Sequence, residues 1–313
     1  MTPRVLVAGD ANLDLVLRGD VVPRFGQAEQ LLESADLVLG SSAGICAAGL
    51  ARLGVDTALV ARVGADVFGA RTRELLADAG VDTTSVAVVD EPTGVSVILS
   101  APDDRAILTL TGALAGLTAD EVLAAAEGAA HVHVASFFLV PGLAPELPGM
   151  LARVRERGAT TSLDTNWDPA EHWEGVAECL PHLDVLLPNA QEAIALARAL
   201  GEDATDAEAA ARALASHGPI VVVKDGADGG FAASPDGSLV RAPGLTVDVV
   251  DTTGAGDSFD AGFLAAWLEG LPLADAVRRA AVAGSLSTRG AGGTGGQATR
   301  AEVEAAVAAG RVA

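Results

Sequence analysis

Short aliphatic runs alternate along this chain with segments whose apolar positions recur every three or four residues. The runs at 5–8, 57–63, 131–135, 160–163, 185–187 and 220–223 have the length and β-branched content of buried strands. Between them, 43–53, 70–79, 120–127, 146–157, 191–200 and 206–216 carry helical periodicity. Thr118 with Glu121, and Thr299 with Glu302, have the spacing of capping boxes that open helices. This alternation predicts an α/β fold, a doubly wound, mostly parallel sheet flanked by helices.

Two stretches break the rhythm. Residues 14–40 are long and variegated, and 93–100 with 106–111 reads as a hairpin across Pro102-Asp103-Asp104. Together they are expected to stand off the main sheet as a small β lid, although ordinary edge strands would have the same pattern. No composition shift marks a linker, so 1–313 reads as one domain with lid segments at about 14–40 and 93–111.

Composition narrows the partners. Half of the 313 residues are hydrophobic, enough for a sizeable core, and the net charge is −22. That charge argues against a nucleic-acid backbone or an anionic membrane as partner. Cys46 and Cys179 are too few for a disulfide framework and fit a reducing compartment. With Met1-Thr2-Pro3-Arg4 leading straight into an aliphatic run too short for a signal segment, a cytoplasmic location is expected.

Ligands of open parallel sheets bind at the carboxyl ends of the strands. Polar clusters fall there: Asn12 and Asp14 after the first strand, Asp164-Thr165-Asn166, Asn189 to Glu192, and Lys224-Asp225-Gly226. A fifth, Asp251-Thr252-Thr253-Gly254-Ala255-Gly256-Asp257-Ser258-Phe259-Asp260, precedes an apolar-periodic helix. Gly254, Ala255 and Gly256 then sit at a helix N-terminus, where unpaired N–H groups and the dipole favour an anion. Asp257 places a carboxylate in that first turn, equipment for phosphoryl transfer to a hydroxyl. In isolation the same residues would serve as a helix cap and a turn. Asn12 and Asp14 suit gripping vicinal hydroxyls. Asn189 and Glu192 suit Mg²⁺, directly or through water, and Lys224 suits a triphosphate.

Other matches carry less. Gly290-Ala291-Gly292-Gly293-Thr294-Gly295 has dinucleotide-loop spacing but follows a helix rather than a strand. No P-loop spacing occurs, and His131 and His133 read as core residues rather than metal ligands.

These motifs together resemble the ribokinase-like (PfkB-type) carbohydrate kinases over nearly the whole chain. The likeness rests on Asp251 to Phe259, Gly9-Asp10-x-Asn12-x-Asp14, Ala51-Arg52-Leu53-Gly54, Val63-Gly64-x-Asp66-x-Phe68-Gly69, Asn189-x-x-Glu192 and Lys224-x-Gly226. The resemblance implies a doubly wound sheet with a β lid, and ATP and Mg²⁺ as cofactors. It makes Asp257 the base and Gly254 to Gly256 the anion hole. Asn12, Asp14, Gly40, Ser41 and Ile45 would line the sugar. Asn189, Glu192, Lys224, Gly226 and Gly229 would serve the nucleotide, with Glu192 also serving Mg²⁺. Many members also hold K⁺ beside the anion hole, which here would fall to Asp251, Thr253 and the loop from Ser287 to Gly292.

Two positions depart from the family pattern. Ile45 stands where an Asn reaching the sugar is expected, and Ala281 stands where some relatives have Asn near the adenine. The expected activity is ATP-dependent phosphorylation of a hydroxyl, taken as primary, on a sugar or sugar-like polyol. A nucleoside kinase of the same fold and a non-catalytic sugar- or nucleotide-binding protein are the alternatives. A homodimer joined through the lid is expected, because exposed sheet seeks cover.

Overall fold

The computed structural model describes residues 4–310 apart from 28 and 102–104, so the turn expected at Pro102-Asp103-Asp104 lies outside the described residues. In chain order the strands are β1 (Val5–Ala8), β2 (Leu13–Gly19), β3 (Leu32–Leu39), β4 (Thr57–Gly64), β5 (Val86–Val89), β6 (Val95–Ser100), β7 (Arg105–Leu110), β8 (His131–Ala135), β9 (Thr160–Asp164), β10 (Val185–Leu186), β11 (Ile220–Lys224), β12 (Gly230–Ala233) and β13 (Leu239–Ala242). The helices are α1 (Ser42–Arg52), α2 (Val67–Asp78), α3 (Ala119–Ala125), α4 (Leu147–Glu156), α5 (Ala190–Ala199), α6 (Ala207–Ala215), α7 (Ala255–Leu268), α8 (Leu273–Ser287), the short α9 (Gly292–Gly295) and α10 (Arg300–Ala308).

Nine strands form one sheet in the order β13-β12-β11-β10-β9-β8-β1-β4-β5. All pairings from β5 to β11 are parallel, and β12 and β13 close one edge antiparallel. The six strands predicted from periodicity are all members of it. Alternation on β1 explains the layering: Val5 and Val7 face a core shared with α1, α7 and α8, while Leu6 and Ala8 face a second core built with α3 to α6. Both predicted capping boxes form, at the starts of α3 and α10. The second helical segment starts three residues earlier than its periodicity suggests. Asp66 caps it, accepting the Gly69 N–H at 2.8 Å.

The remaining strands make a separate four-stranded sheet, β3-β2-β6-β7, with β2 and β6 parallel and both outer pairs antiparallel. Its register sorts the side chains by face. Asp14, Ser96 and Thr109 share one rung, Val16, Ile98 and Ile107 the next, and Arg18, Ser100 and Arg105 the third. The opposite face carries aliphatic rows such as Leu37–Leu15–Val97–Leu108, with Leu108 60 % exposed.

His131 and His133 lie buried on β8 and share the Ser162 hydroxyl at 2.7 Å each, as core residues would. Burial holds both imidazoles neutral, with pKa values near 3 and 4.

Candidate active site

The carboxyl ends of β1, β9 and β11 and the N-terminal turns of α1 and α7 meet over the centre of the large sheet. α7 opens on Gly254 in the left-handed conformation (φ 71°), with no side-chain cap. A Cβ at Gly254 would lie 2.7 Å from the Gly293 Cα and 3.0 Å from Ile45 Cγ2, so the turn admits only glycine there. Among the described residues, the N–H groups of Gly254, Gly256 and Asp257 have no protein acceptor. They form a cradle of free donors at the positive end of a 14-residue helix.

Asp257 is buried beside this cradle and hydrogen-bonds Ser42 at the start of α1. Burial first, then the negative charge of Asp164, pushes its carboxyl well above the usual range. Asp164, Asp257 and Asp260 each bring one carboxylate oxygen within 4.8 Å of the others. Lys224 balances two of them: its Nζ donates to Asp164 at 2.7 Å and to Asp260 at 3.1 Å. Burial opposes charge on both partners, but the ammonium wins at Asp164, whose carboxyl is held below its ordinary value. Asp260, also coupled to Asp164, is raised by burial, and its Oδ1 has no partner among the described residues.

A second polar cluster is built where β1, β2 and β3 approach α1. Asn12 Nδ2 donates to Asp14 Oδ1 at 3.2 Å and to Ser96 at 3.5 Å, which fixes the amide against the small sheet. Gly40 faces Asp14 so closely that any Cβ would overlap the carboxylate. Ser41 caps α1, accepting from Gly44 N at 3.1 Å. Burial, then the charge of Asp10, raises the Asp14 carboxyl to about 7. Ile45 is buried on α1 and packs between Gly254 and Gly293, beneath the cradle. Gln297 Nε2 donates to its carbonyl at 2.9 Å.

A mostly apolar cavity of about 490 Å³ opens on the other side of the cradle. Lys224, Gly226, Gly229, Gly256, Phe259 and Ala281 help to line it, together with Leu245, Thr246, Val247, Val249 and Thr288. It is roomy enough for a nucleotide base and ribose. Asn189 and Glu192 lie beside Lys224, Asn189 in a parallel bridge with it. They form a third capping box, on α5: Asn189 Oδ1 accepts the N–H groups of Gln191 and Glu192, and Glu192 accepts the Asn189 N–H at 2.8 Å. Burial, then repulsion from Asp164, raises Glu192 to about 7. The spacing that suggested a magnesium pair was equally the spacing of a box.

Asp251 ties two loops together. It accepts the Thr253 N–H at 2.9 Å and the Gly292 N–H at 3.0 Å, while Ser287 Oγ donates to the Gly284 carbonyl. The glycine-rich 290–295 segment, which follows α8, therefore serves this junction. Two residues that the sequence did not single out reach the same turn from the small sheet. Arg18 Nη2 lies 3.5 Å from Asp251 Oδ2, and Arg105 Nη1 donates to Thr253 Oγ1 at 3.1 Å. Asp10 was also missed as a support: it accepts Ala43 N at 3.0 Å and Ser42 N at 3.3 Å, anchoring α1.

Residues 4–300 match the pfkB family carbohydrate kinase profile. The chain belongs to that family. This PfkB-family kinase is 35 % identical over 292 residues to an ATP-dependent ribose-1-phosphate kinase of Halopiger xanaduensis, covering 91 % of each chain. The Arabidopsis thaliana ribokinase complexed with ribose and ATP superposes with a TM-score of 0.81 at 25 % identity, over 97 % of this chain and 98 % of that one. A putative ribokinase II of E. coli with ATP and Mg²⁺ shares the fold, with a TM-score of 0.84 at 22 % identity over 98 % and 99 %. The enzyme is a phosphotransferase of the ribokinase-like sugar and nucleoside kinases, an ATP-dependent class. Among its described residues, no helix is long and apolar enough to cross a membrane.

Proposed function

We propose that this kinase transfers the γ-phosphoryl group of ATP to a primary hydroxyl of a sugar or sugar-like polyol. The observation that carries the reading is Asp257, a buried carboxylate adjoining a cradle of free N–H donors between an acceptor pocket and an apolar cavity. Asp257 takes the hydroxyl proton, and the free N–H groups of Gly254 and Gly256 receive charge developing on the transferred group, whereas the Ala255 N–H, expected to join them, donates instead to the Thr252 carbonyl at 3.2 Å. Asn12, Asp14 and the Gly40–Ser41 turn orient the acceptor. The cavity along Gly226, Gly229 and Ala281 takes the nucleotide.

Lys224 neutralises the Asp164–Asp260 pair, so the triphosphate does not meet two bare carboxylates. Hard oxygen donors suit Mg²⁺, and Glu192, close to Lys224 and Asp164, would hold it through water. When bound, the ion offsets charge on the β- and γ-phosphates. A monovalent cation beside the turn would be held by Asp251 and the carbonyls of Thr253, Ser287 and Gly292. The two loops that Asp251 joins make such a site compact.

In an ADP-release assay, sugars should give turnover above that of nucleosides. A nucleoside-only profile, or release with no acceptor of either class, would reverse the reading. A non-catalytic binder is disfavoured because a pure binder needs no buried carboxylate beside an anion cradle.

The four-stranded sheet acts as the lid, excluding water that would compete as acceptor. Its outer face carries the aliphatic rows in a chain of net charge −22, so it is where two copies can meet with little repulsion. A homodimer joined there should show the mass of two chains in light scattering. Leu108→Glu should give the mass of one, and an unchanged dimer would place the contact elsewhere.

A further inference from the structure

A cleft of about 820 Å³ opens on the side of the large sheet covered by α3 to α6, between residues 137–145, residues 172–178 and the C-terminal end of α5. It shares no lining residue with the cavity beside the anion cradle. The chain has only 7 Phe, 3 Trp and no Tyr, yet two Phe and two Trp gather here. Phe138 stands at 86° to Phe137 and at 85° to Trp173, and Trp173 stands at 89° to Trp167. The ring centroids are 4.9, 5.6 and 5.0 Å apart. Phe138 and Trp173, both lining the cleft, thus form the corner of a box, with ring faces turned in two directions.

This wall is held against its own backbone preference. Six non-glycine residues among those described have positive φ, and four of them, Ser136, Asn166, Glu171 and Trp173, lie in the two segments that carry these rings. For a residue as bulky as Trp173, φ 59° is costly, and costs of this kind gather at ligand clamps. Buried Asp168 enforces it: Oδ2 accepts the N–H groups of His172 at 2.8 Å and Trp173 at 2.7 Å. Asn166 anchors the start of the segment, accepting Ser136 N at 2.8 Å.

The polar lining is as selective. Among the described residues, only His172, Glu174 and Glu178 bring polar side chains to the cleft, and no Lys, Arg, Asn, Gln, Ser or Thr lines it. A phosphate or carboxylate would meet no counter-charge there, and a sugar no set of paired donors. Aromatic faces are electronegative and the glutamates carry full negative charge, so complementarity favours a cation on an apolar body.

The geometry points to a binding site for an organic ammonium ion in this cleft, with the cationic nitrogen in the corner between Phe138 and Trp173 and Glu174 and Glu178 at its rim.

Choline, titrated against the full chain and followed by tryptophan fluorescence, should give a saturable change. Trp167 and Trp173 report from the site, while Trp267 is stacked on Phe263 against the other core. The uncharged isostere of choline, with a tert-butyl group in place of trimethylammonium, should bind about 10-fold more weakly, the effect of one desolvated cation–π contact. Phe138→Leu keeps the apolar bulk and removes a ring face, so it should cost choline about 10-fold and the isostere little. Glu174→Gln combined with Glu178→Gln should weaken choline by about 2–5-fold, and more at low salt. No turnover enters the measurement, so failure of the kinase reading would leave it untouched.

Equal affinity for choline and its isostere would make the cleft merely apolar and overturn the inference. Choline affinity unchanged in both the Phe138 and the glutamate variants would do the same, as the mark of loose association with an acidic surface. A silent titration would also overturn it, and a mass halved by Phe138→Glu in light scattering would then assign the cleft to contact between copies.

Discussion

Asp257→Asn is expected to lower kcat by about 10²–10⁴-fold, the usual contribution of a positioned general base, while ATP binds as before. The side chain sits at the head of α7 rather than in the nucleotide cavity, so the two effects should separate. ADP release at saturating ATP and acceptor, with a calorimetric titration of ATP, reads both. Turnover within tenfold of the unmodified enzyme would remove Asp257 from the chemistry.

The pH dependence follows from what surrounds the carboxylate. Burial and the Asp164 charge raise the Asp257 pKa, and Lys224 lowers it. A base works deprotonated, so kcat should rise with pH through that raised pKa. Removing the Asp164 charge takes away a raising influence. Asp164→Asn should therefore move the acid limb of the profile to lower pH, whereas a purely structural role would lower the plateau and leave the limb in place.

How much of this was legible beforehand depended on distance along the chain. The turn proposed as catalytic is contiguous, so its helix N-terminus and first-turn carboxylate were legible, while the left-handed conformation of Gly254 was not. The parallel sheet was legible because strands covered on both faces read as unbroken aliphatic runs. Lys224 was legible as a strand-end cation but not as a clamp, because its partners lie 60 and 36 residues away. Arg18 and Arg105 were invisible for a related reason. Their alignment depends on the register of β2 with β6 and of β6 with β7, which no local pattern specifies. Asn189 and Glu192 differ again. Their signal was present, with the same three-residue spacing as the Thr118 and Thr299 boxes, and had two meanings.

Lys224→Met should destabilise the fold by about 3–5 kcal/mol, the usual result of stripping the partner from buried charges. For a domain of this size that is a fall in Tm on the order of 10 °C. Asp164 and Asp260 are almost wholly buried and would be left facing each other without the ammonium. The sign of the pH effect tests the cause. In the unmodified enzyme the Asp164 pKa is depressed, so its contribution is present above the ordinary carboxylate pKa and is lost as pH falls through the lower folded value. Without Lys224 the same carboxyl, buried beside a second one, is raised, and its charge costs stability at neutral pH but not once it is protonated. The deficit of Lys224→Met should therefore be largest near pH 8 and shrink toward pH 5 in thermal melts. Adding Asp164→Asn and Asp260→Asn should recover much of the loss at pH 8, since a neutral hydrogen-bonded group needs no counter-ion. A deficit that is the same at both pH values would mean that the lysine stem packed against Gly256, rather than its charge, holds this part of the fold together.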